Sequence, residues 1–201
     1  ALKLDIRKAF DTIDLAFISN VLHSFGFSTL FIKWITTLMD STRISILVNG
    51  SPEGYFKCTW GVRWGNPLFA ILFAIAEDYL SRLLLHMVDT GEMTTIKADR
   101  STSAPSHLFF VDAIIIFTQG DRRNVNNIKK ALLHYESLSG QEINSSKSFI
   151  YFRKNFSPSR KRCITNDLGI KEGSIPFNYL GVPMVWGKPR ASHFSSAVSQ
   201  I

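Results

Sequence analysis

The chain has 201 residues, 45% of them hydrophobic and 19% charged, which excludes a disordered segment and allows one domain with a sizeable core and room for part of a second. Lys and Arg outnumber Asp and Glu by 23 to 16, a formal charge of +7 that favours polyanionic partners without demonstrating one. Two cysteines without C-x-x-C spacing exclude a disulfide framework and a zinc site and fit a reducing compartment, while the longest apolar run, PLFAILFAIA from Pro67, is about half of a bilayer crossing.

The first residues carry no signal-peptide anatomy and no initial Met. The chain therefore reads as a fragment entered in mid-fold, from an intracellular protein of nucleus or cytoplasm with no membrane segment. Leu2, Leu4 and Ile6 alternate with Lys3 and Asp5, the period of a strand with one buried face. Asp14 caps a helix with Phe17, Ile18, Val21, Leu22 and Phe25 on one face, closed by Gly26. A second helical pattern, LFIKWITTLM, precedes two strands, RISILVNG and SPEGYFKCTW, turned at Asn49-Gly50. Asn66 and Pro67 open the apolar helix, with Leu68, Leu72, Ile75 and Tyr79 as its stripe.

Met93 to Ser106 is polar and reads as a loop or edge strand. FFVDAIIIF, from Phe109 to Phe117, reads as a buried hairpin. An amphipathic helix follows, starting near Asp121, with Val125, Ile128, Leu132, Tyr135 and Leu138 on one face and Gly140 as its stop. KSFIYF reads as a strand, RKNFSPSRKRC as a basic loop and FNYLGVPM as a last short turn. This order predicts an α+β fold, an antiparallel sheet with helices packed on one face.

Two carboxylates stand out, because Asp5 and Asp112 both interrupt apolar strand patterns. Burying an unpaired charge costs several kcal/mol, so each needs solvent or a cation. Adjacent central strands could bring them together. Paired carboxylates suit Mg²⁺, with substrate phosphates completing the shell, as in two-metal phosphoryl transfer.

LKLDIRKAFDTID, GVRWGNPLFAILFAIAEDYLSRLL, HLFFVDAIIIF, SGQEINSSKS and YLGVP occur in that order, and together they resemble the successive palm motifs of reverse transcriptases from non-LTR (LINE-type) retrotransposons, of the kind abundant in plant genomes. The resemblance implies a polymerase palm with a ferredoxin-like sheet, acting on RNA template, DNA primer and deoxynucleoside triphosphate with two Mg²⁺ ions. It implies a palm over residues 1–152 with partial fingers elements within 27–60. Residues 153–201 would then hold the basic loop, the primer-grip motif and the start of the connection to a thumb.

By the same resemblance Asp5 and Asp112 are metal-binding catalytic aspartates, with the Ile6 carbonyl as a further ligand. Phe10 matches the aromatic that closes off the sugar 2′ position, though a core aromatic would also suit the place. Arg63, Trp64 and Gly65 fall at the nucleotide-binding turn. Lys147 matches the lysine that protonates the leaving pyrophosphate, where a solvated surface residue is the alternative. Tyr179, Leu180 and Gly181 match the primer grip. Arg153, Lys154, Arg160, Lys161 and Arg162 are candidate phosphate contacts, or simply solvated cations.

The sequence also departs from the family pattern. Where two consecutive aspartates are expected the hairpin has FVDA, so Ala113 occupies the second carboxylate's place. A charge pair at about 4 Å and an effective dielectric near 20 is worth about 4 kcal/mol, enough to cost two to three orders of magnitude in rate. The usual R-Q-G-D-P-L-S-P reads RWGNPLFA, with Trp64 for glutamine, Asn66 for aspartate, and Phe69 and Ala70 for serine and proline. Three readings follow: an enzyme of the RNA-directed DNA polymerase class, intact or formerly so, with Ala113 and Trp64 arguing against present activity; a non-catalytic nucleic-acid-binding remnant; and a functionless translated relic.

Overall fold

A computed structural model describes residues 1–41, 43–57, 67–96, 104–185, 187 and 190 of the chain. The elements in chain order are β1 (Leu2–Asp5), α1 (Ala9–Thr12), α2 (Leu15–Ser24), α3 (Thr29–Ser41), β2 (Arg43–Val48), β3 (Ser51–Lys57), α4 (Pro67–Asp89), β4 (His107–Phe110), β5 (Ala113–Ile116), α5 (Arg122–Ser139), β6 (Phe149–Ile150), α6 (Pro158–Leu168), β7 (Lys171–Glu172), β8 (Phe177–Tyr179) and β9 (Val182–Met184).

The main sheet has the order β4-β5-β1-β6-β7. β1 lies at its centre, antiparallel to β5 on one side and to β6 on the other. The alternation read from the sequence decides which way each residue points. Leu2, Leu4 and Ile6 join Ile114, Ile116 and Ile150 in the core beneath the helices, and Lys3, Asp5 and Ala113 point to the opposite face. The sheet is not wholly antiparallel as expected, because β7 pairs parallel to β6.

Helices cover one face only. α2 forms because Asp14 caps it, its carboxylate accepting from the Ala16 and Phe17 N–H groups at 2.6 and 3.0 Å. α5 starts the same way at Asp121, which accepts from the Asn124 N–H at 2.9 Å, and ends at Gly140 in the left-handed region. The long α4 buries Phe69, Leu72, Phe73, Ala76, Leu80, Leu84 and Met87. The expected stripe of Leu68, Ile75 and Tyr79 only borders this face, partly buried against the core. Two other expected core positions are exposed. Phe25 lies under the Arg82 guanidinium, 4.7 Å from its ring, and Leu138 faces solvent while Ala131 and Ser139 complete the buried row of α5.

β2 and β3 pair with each other alone, around a turn at Asn49 and Gly50, both with positive φ, as the sequence predicts. Two expectations for the C-terminal part fail. RKNFSPSRKRC is not a loop throughout, since Pro158 at the first turn starts α6 and Gly169 stops it. Ile164 and Ile170 enter the main core and β7 joins the main sheet, so packing of this layer continues well past residue 152. FNYLGVPM is a hairpin rather than a simple turn, and KSFIYF contributes only the two-residue β6.

Leu4 is fully buried at the centre of the sheet. Leu4→Ala is expected to destabilise the chain by about 3 kcal/mol, as buried leucine truncations do, against less than about 0.5 kcal/mol for the exposed Lys33→Ala. Urea unfolding followed by circular dichroism measures both.

Candidate active site

The β4–β5 hairpin turns through two residues, Val111 and Asp112. Val111 has φ 53°, a left-handed value that is unfavourable for a β-branched side chain and costs on the order of 1–3 kcal/mol. The turn is thus held by its surroundings rather than by the preference of its own residues. One such constraint is visible, since the Ile6 N–H donates to the Asp112 carbonyl at 2.9 Å.

Asp5 and Asp112, 107 positions apart, are brought together by register. Asp5 lies opposite Ala113 in the β1–β5 pair, so the turn holding Asp112 closes directly over the end of β1. On this face Phe110, Ala113 and Asp5 form a row across β4, β5 and β1. Ala113 therefore puts a methyl group about 5 Å from the Asp5 β-carbon, the spacing of directly opposed strand residues. Asp112 is exposed and Asp5 half-buried, so both carboxylates meet solvent.

The segment before β6 flanks Asp5 on its other side. The Asn144 N–H donates to the Asp5 carbonyl at 2.7 Å, and the Asp5 N–H donates to Ser148 Oγ at 3.1 Å. Lys147 lies in the turn between these two residues, with its side chain exposed. Phe10 follows in α1, half-buried, its ring stacked on Phe73 of α4 at 4.2 Å.

The β8–β9 hairpin lies on the same face of the sheet. The Tyr179 hydroxyl donates to the Ala113 carbonyl at 3.3 Å, Phe177 stacks on Tyr151 at 3.7 Å, and Lys3 Nζ donates to the Asn178 carbonyl at 3.3 Å. Burial raises the Tyr179 phenol above its ordinary pKa. Leu180 and Gly181 form the tip, both with positive φ. Arg63, Trp64, Gly65 and Asn66 lie outside the described residues. The expected phosphate contacts at Arg153, Lys154, Arg160, Lys161 and Arg162 are not beside the aspartates but near the opposite end of β1, where Tyr151 and Ala1 exchange backbone hydrogen bonds of 2.8 Å.

The sequence reading missed the polar cluster that braces this site from behind. Glu77 of α4, Tyr135 of α5 and Gln141 are all buried. The Tyr135 hydroxyl lies 2.6 Å from Glu77 Oε1 and also bonds Gln141 Oε1, and Gln141 Nε2 donates to the Ala9 carbonyl at 2.9 Å. One hydroxyl proton cannot serve two acceptors. With the Gln141 amide oriented by Ala9, the count closes when Glu77 is protonated and donates to Tyr135, which donates to Gln141. Burial pushes the Glu77 carboxyl up to about 7, against the opposing effect of the hydrogen bonds, and burial with the Glu77 charge raises the Tyr135 phenol. The signal in the sequence was Glu77 itself, a carboxylate one residue past an apolar run.

A sheet with two aspartates meeting at a strand end and a hairpin turn, helices on one face and a short hairpin on the other, has the architecture of a nucleic-acid polymerase palm. Residues 1–184 match the profile of the family described as Reverse transcriptase (RNA-dependent DNA polymerase), and the chain belongs to that family.

Its relatives include retrovirus-related Pol polyproteins of retrotransposable elements. The chain is 27% identical over 146 residues to the Pol polyprotein of the type-2 retrotransposable element R2DM of Drosophila melanogaster, covering 73% of this chain and 13% of that protein. It is 26% identical over 144 residues to the Pol polyprotein of the type-1 element R2 of Popillia japonica, covering 72% and 23%. The chain thus spans under a quarter of the length of these relatives. Apo telomerase from Candida tropicalis superposes with a TM-score of 0.55 at 14% identity, over 73% of this chain and 29% of that one, which supports the fold.

The family generally uses divalent metal ions. Among the described residues no group of three or more His, Cys, Asp and Glu side chains could hold one. The two carboxylates fit Mg²⁺ only in the manner that leaves most of its shell to substrate oxygens and water. No described helix is long and apolar enough to cross a membrane.

The buried acid gives a pH dependence of known sign. Its pKa is about 7 in the folded chain and 4.5 ordinarily, so its contribution is complete below pH 4.5 and is lost as pH rises to 7 and beyond. At 1.36 kcal/mol per pKa unit, the loss amounts to about 3 kcal/mol. Glu77→Gln is expected to flatten the decline in stability between pH 4.5 and pH 8, measured by urea unfolding across that range.

Proposed function

We propose that this chain is the palm of a retrotransposon reverse transcriptase, built for RNA-templated DNA synthesis and crippled at the chemical step. The observation that carries the reading is the β1–β5 register, in which Asp5 and Asp112 share the sheet end while Ala113 stands opposite Asp5.

In this reading Asp5 and Asp112 hold Mg²⁺, and the Ile6 carbonyl supports it. Bound there with a deoxynucleoside triphosphate, the metal would lower the pKa of the primer hydroxyl and offset charge on the leaving pyrophosphate. The remaining roles fall to the chain's own groups. The ring of Phe10, fixed by its stack on Phe73, closes the space beside the sugar and excludes a 2′-hydroxyl. Lys147, in the turn tied to the Asp5 backbone, donates a proton to the departing pyrophosphate. Tyr179, Leu180 and Gly181 hold the primer end against the sheet face that carries Ala113. Arg63, Trp64 and Gly65 complete the nucleotide site, where the indole of Trp64 offers a donor alone in place of an amide's donor and acceptor.

The defect is one of charge. A carboxylate at 113 would add to the negative field at the metals facing a triphosphate, and a methyl group adds nothing. The sequence pattern of an intact apolar scaffold with altered site residues is that of a degenerate element copy.

Primer extension on an RNA template, with Mg²⁺ and with Mn²⁺, tests this. The chain as written is expected to give background incorporation, and Ala113→Asp with Trp64→Gln to raise it by at least about a hundredfold, from the charge estimate of roughly 1.4 kcal/mol per decade. Asp5→Asn in the repaired chain is expected to abolish the gain. Robust extension by the unrepaired chain would overturn the inactivity, and no gain after repair would overturn the assignment of these positions.

A further inference from the structure

We infer that the chain carries a second nucleic-acid contact, a phosphate-binding surface for duplex at the end of the sheet remote from the aspartates. Between Phe117 and Glu172 stand eleven Lys and Arg against five Asp and Glu; Lys147 and Glu142 lie at the aspartate end and cancel, so the rest of the stretch holds +6 of the chain's +7. The segregation is spatial as well as sequential. β5 leads away from the Asp112 turn for four residues, about 13 Å, before the chain enters α5.

At that end three segments converge. Arg160 of α6 donates to the Gly120 carbonyl at 3.1 Å, and a β-carbon on Gly120 would meet the Phe156 ring at 2.8 Å, so α5 and α6 begin side by side. Lys129 Nζ donates to the Asp167 carbonyl at 2.5 Å, which keeps the two helices running together. The strand leading to Arg153 and Lys154 is tied to Ala1 through Tyr151.

The cations here divide into two sets. Arg160 and Lys161 are occupied, the first with Gly120 and the Phe156 ring, the second with Glu172 and the Phe152 ring. Arg122, Arg123, Lys130, Arg153, Lys154 and Arg162 are exposed and form no ion pair among the described residues. The nearby carboxylates are committed elsewhere: Asp121 caps α5, Asp167 Oδ2 accepts from the Cys163 thiol at 3.7 Å, and Glu172 pairs with Lys161. Unneutralised cations at this density are what a polyphosphate backbone satisfies.

The aromatic residues select duplex over single strand. Sequence-tolerant binding of single strands needs exposed rings on which bases stack. Here Phe149, Phe152 and Phe156 each lie beneath a cation, at 4.8, 5.5 and 5.2 Å from Lys171, Lys161 and Arg160, and no exposed aromatic lies between Phe117 and Glu172. Only charge is presented outward, which positions a backbone without reading bases. The inference rests on the polymerase reading solely for the choice of polyanion.

The test is fluorescence anisotropy of a labelled RNA–DNA duplex titrated with the 201-residue chain between 50 and 300 mM salt, without nucleotide or metal, so that the outcome is independent of catalysis. The chain is expected to bind duplex more tightly than a single strand of the same length. Neutralising four cations (Arg122→Gln, Arg123→Gln, Lys154→Gln, Arg162→Gln) should reduce the salt slope by about 3.6 and weaken binding at least tenfold, at about 0.9 per phosphate contact. Lys33→Gln, an exposed cation of α3 outside this surface, should leave affinity within twofold, and the unfolding midpoint of each variant should stay near that of the parent. Three results would each overturn the inference: unchanged slope and affinity in the quadruple variant, tighter binding of the single strand, or binding to anionic vesicles of phosphatidylserine and phosphatidylcholine without binding to duplex.

Discussion

The pairing of β1 with β5 is the constraint on which the rest of this protein depends. β1 is four residues long and has a neighbour on each side, so its register is set twice, once against Ile114 and Ile116 and once against Ile150. A shift of one residue would turn Leu4 to solvent and Asp5 into the core, at the full cost of burying a charge. Hydrophobic burial on one face therefore fixes a polar arrangement on the other. The same register holds the strained Val111–Asp112 turn against the end of the strand.

Behind the sheet, the helices are joined by more than apolar contact. The Glu77, Tyr135 and Gln141 cluster links α4 and α5 to the Ala9 carbonyl, one residue before Phe10. A buried network of this kind is favourable only when its members are all satisfied. One oxygen, Glu77 Oε2, is buried without a partner among the described residues, which accords with a neutral acid rather than a carboxylate. The backbone that leads into Phe10 is thereby tied to the helices behind the sheet.

The same geometry shows why position 113 can vary without disturbing the fold. Ala113 sits on the open face, outside the apolar layer, so the exchange of a carboxylate for a methyl group there removes like-charge repulsion with Asp5 and disturbs no packing. Positions facing the core have no such freedom, because a charge there would cost several kcal/mol. Charge is also divided along the sheet, with the aspartates at one end and the uncommitted cations at the other. A long polyanion meets both at once only if it spans the distance between them.

Much of the architecture was legible in the sequence because it follows from local periodicity. The alternation of Leu2, Leu4 and Ile6, the caps at Asp14 and Asp121, the stops at Gly26 and Gly140 and the turn at Asn49-Gly50 all involve residues a few positions apart. The motif order led to the family for the same reason. Where the sequence reading went astray, the deciding contact was distant. RKNFSPSRKRC reads as a basic loop because the apolar residues that make α6 pack, Ile164 and Leu168, lie beyond its end. Phe25 and Leu138 matched a helical face in sequence, yet the neighbouring elements left them outside it. The meeting of Asp5 with Asp112, the support of Tyr179 on the Ala113 carbonyl and the raised pKa of Glu77 depend on strand register and burial between residues far apart in the sequence. Those are properties of the folded sheet and its helices together, and only the tertiary structure decides them.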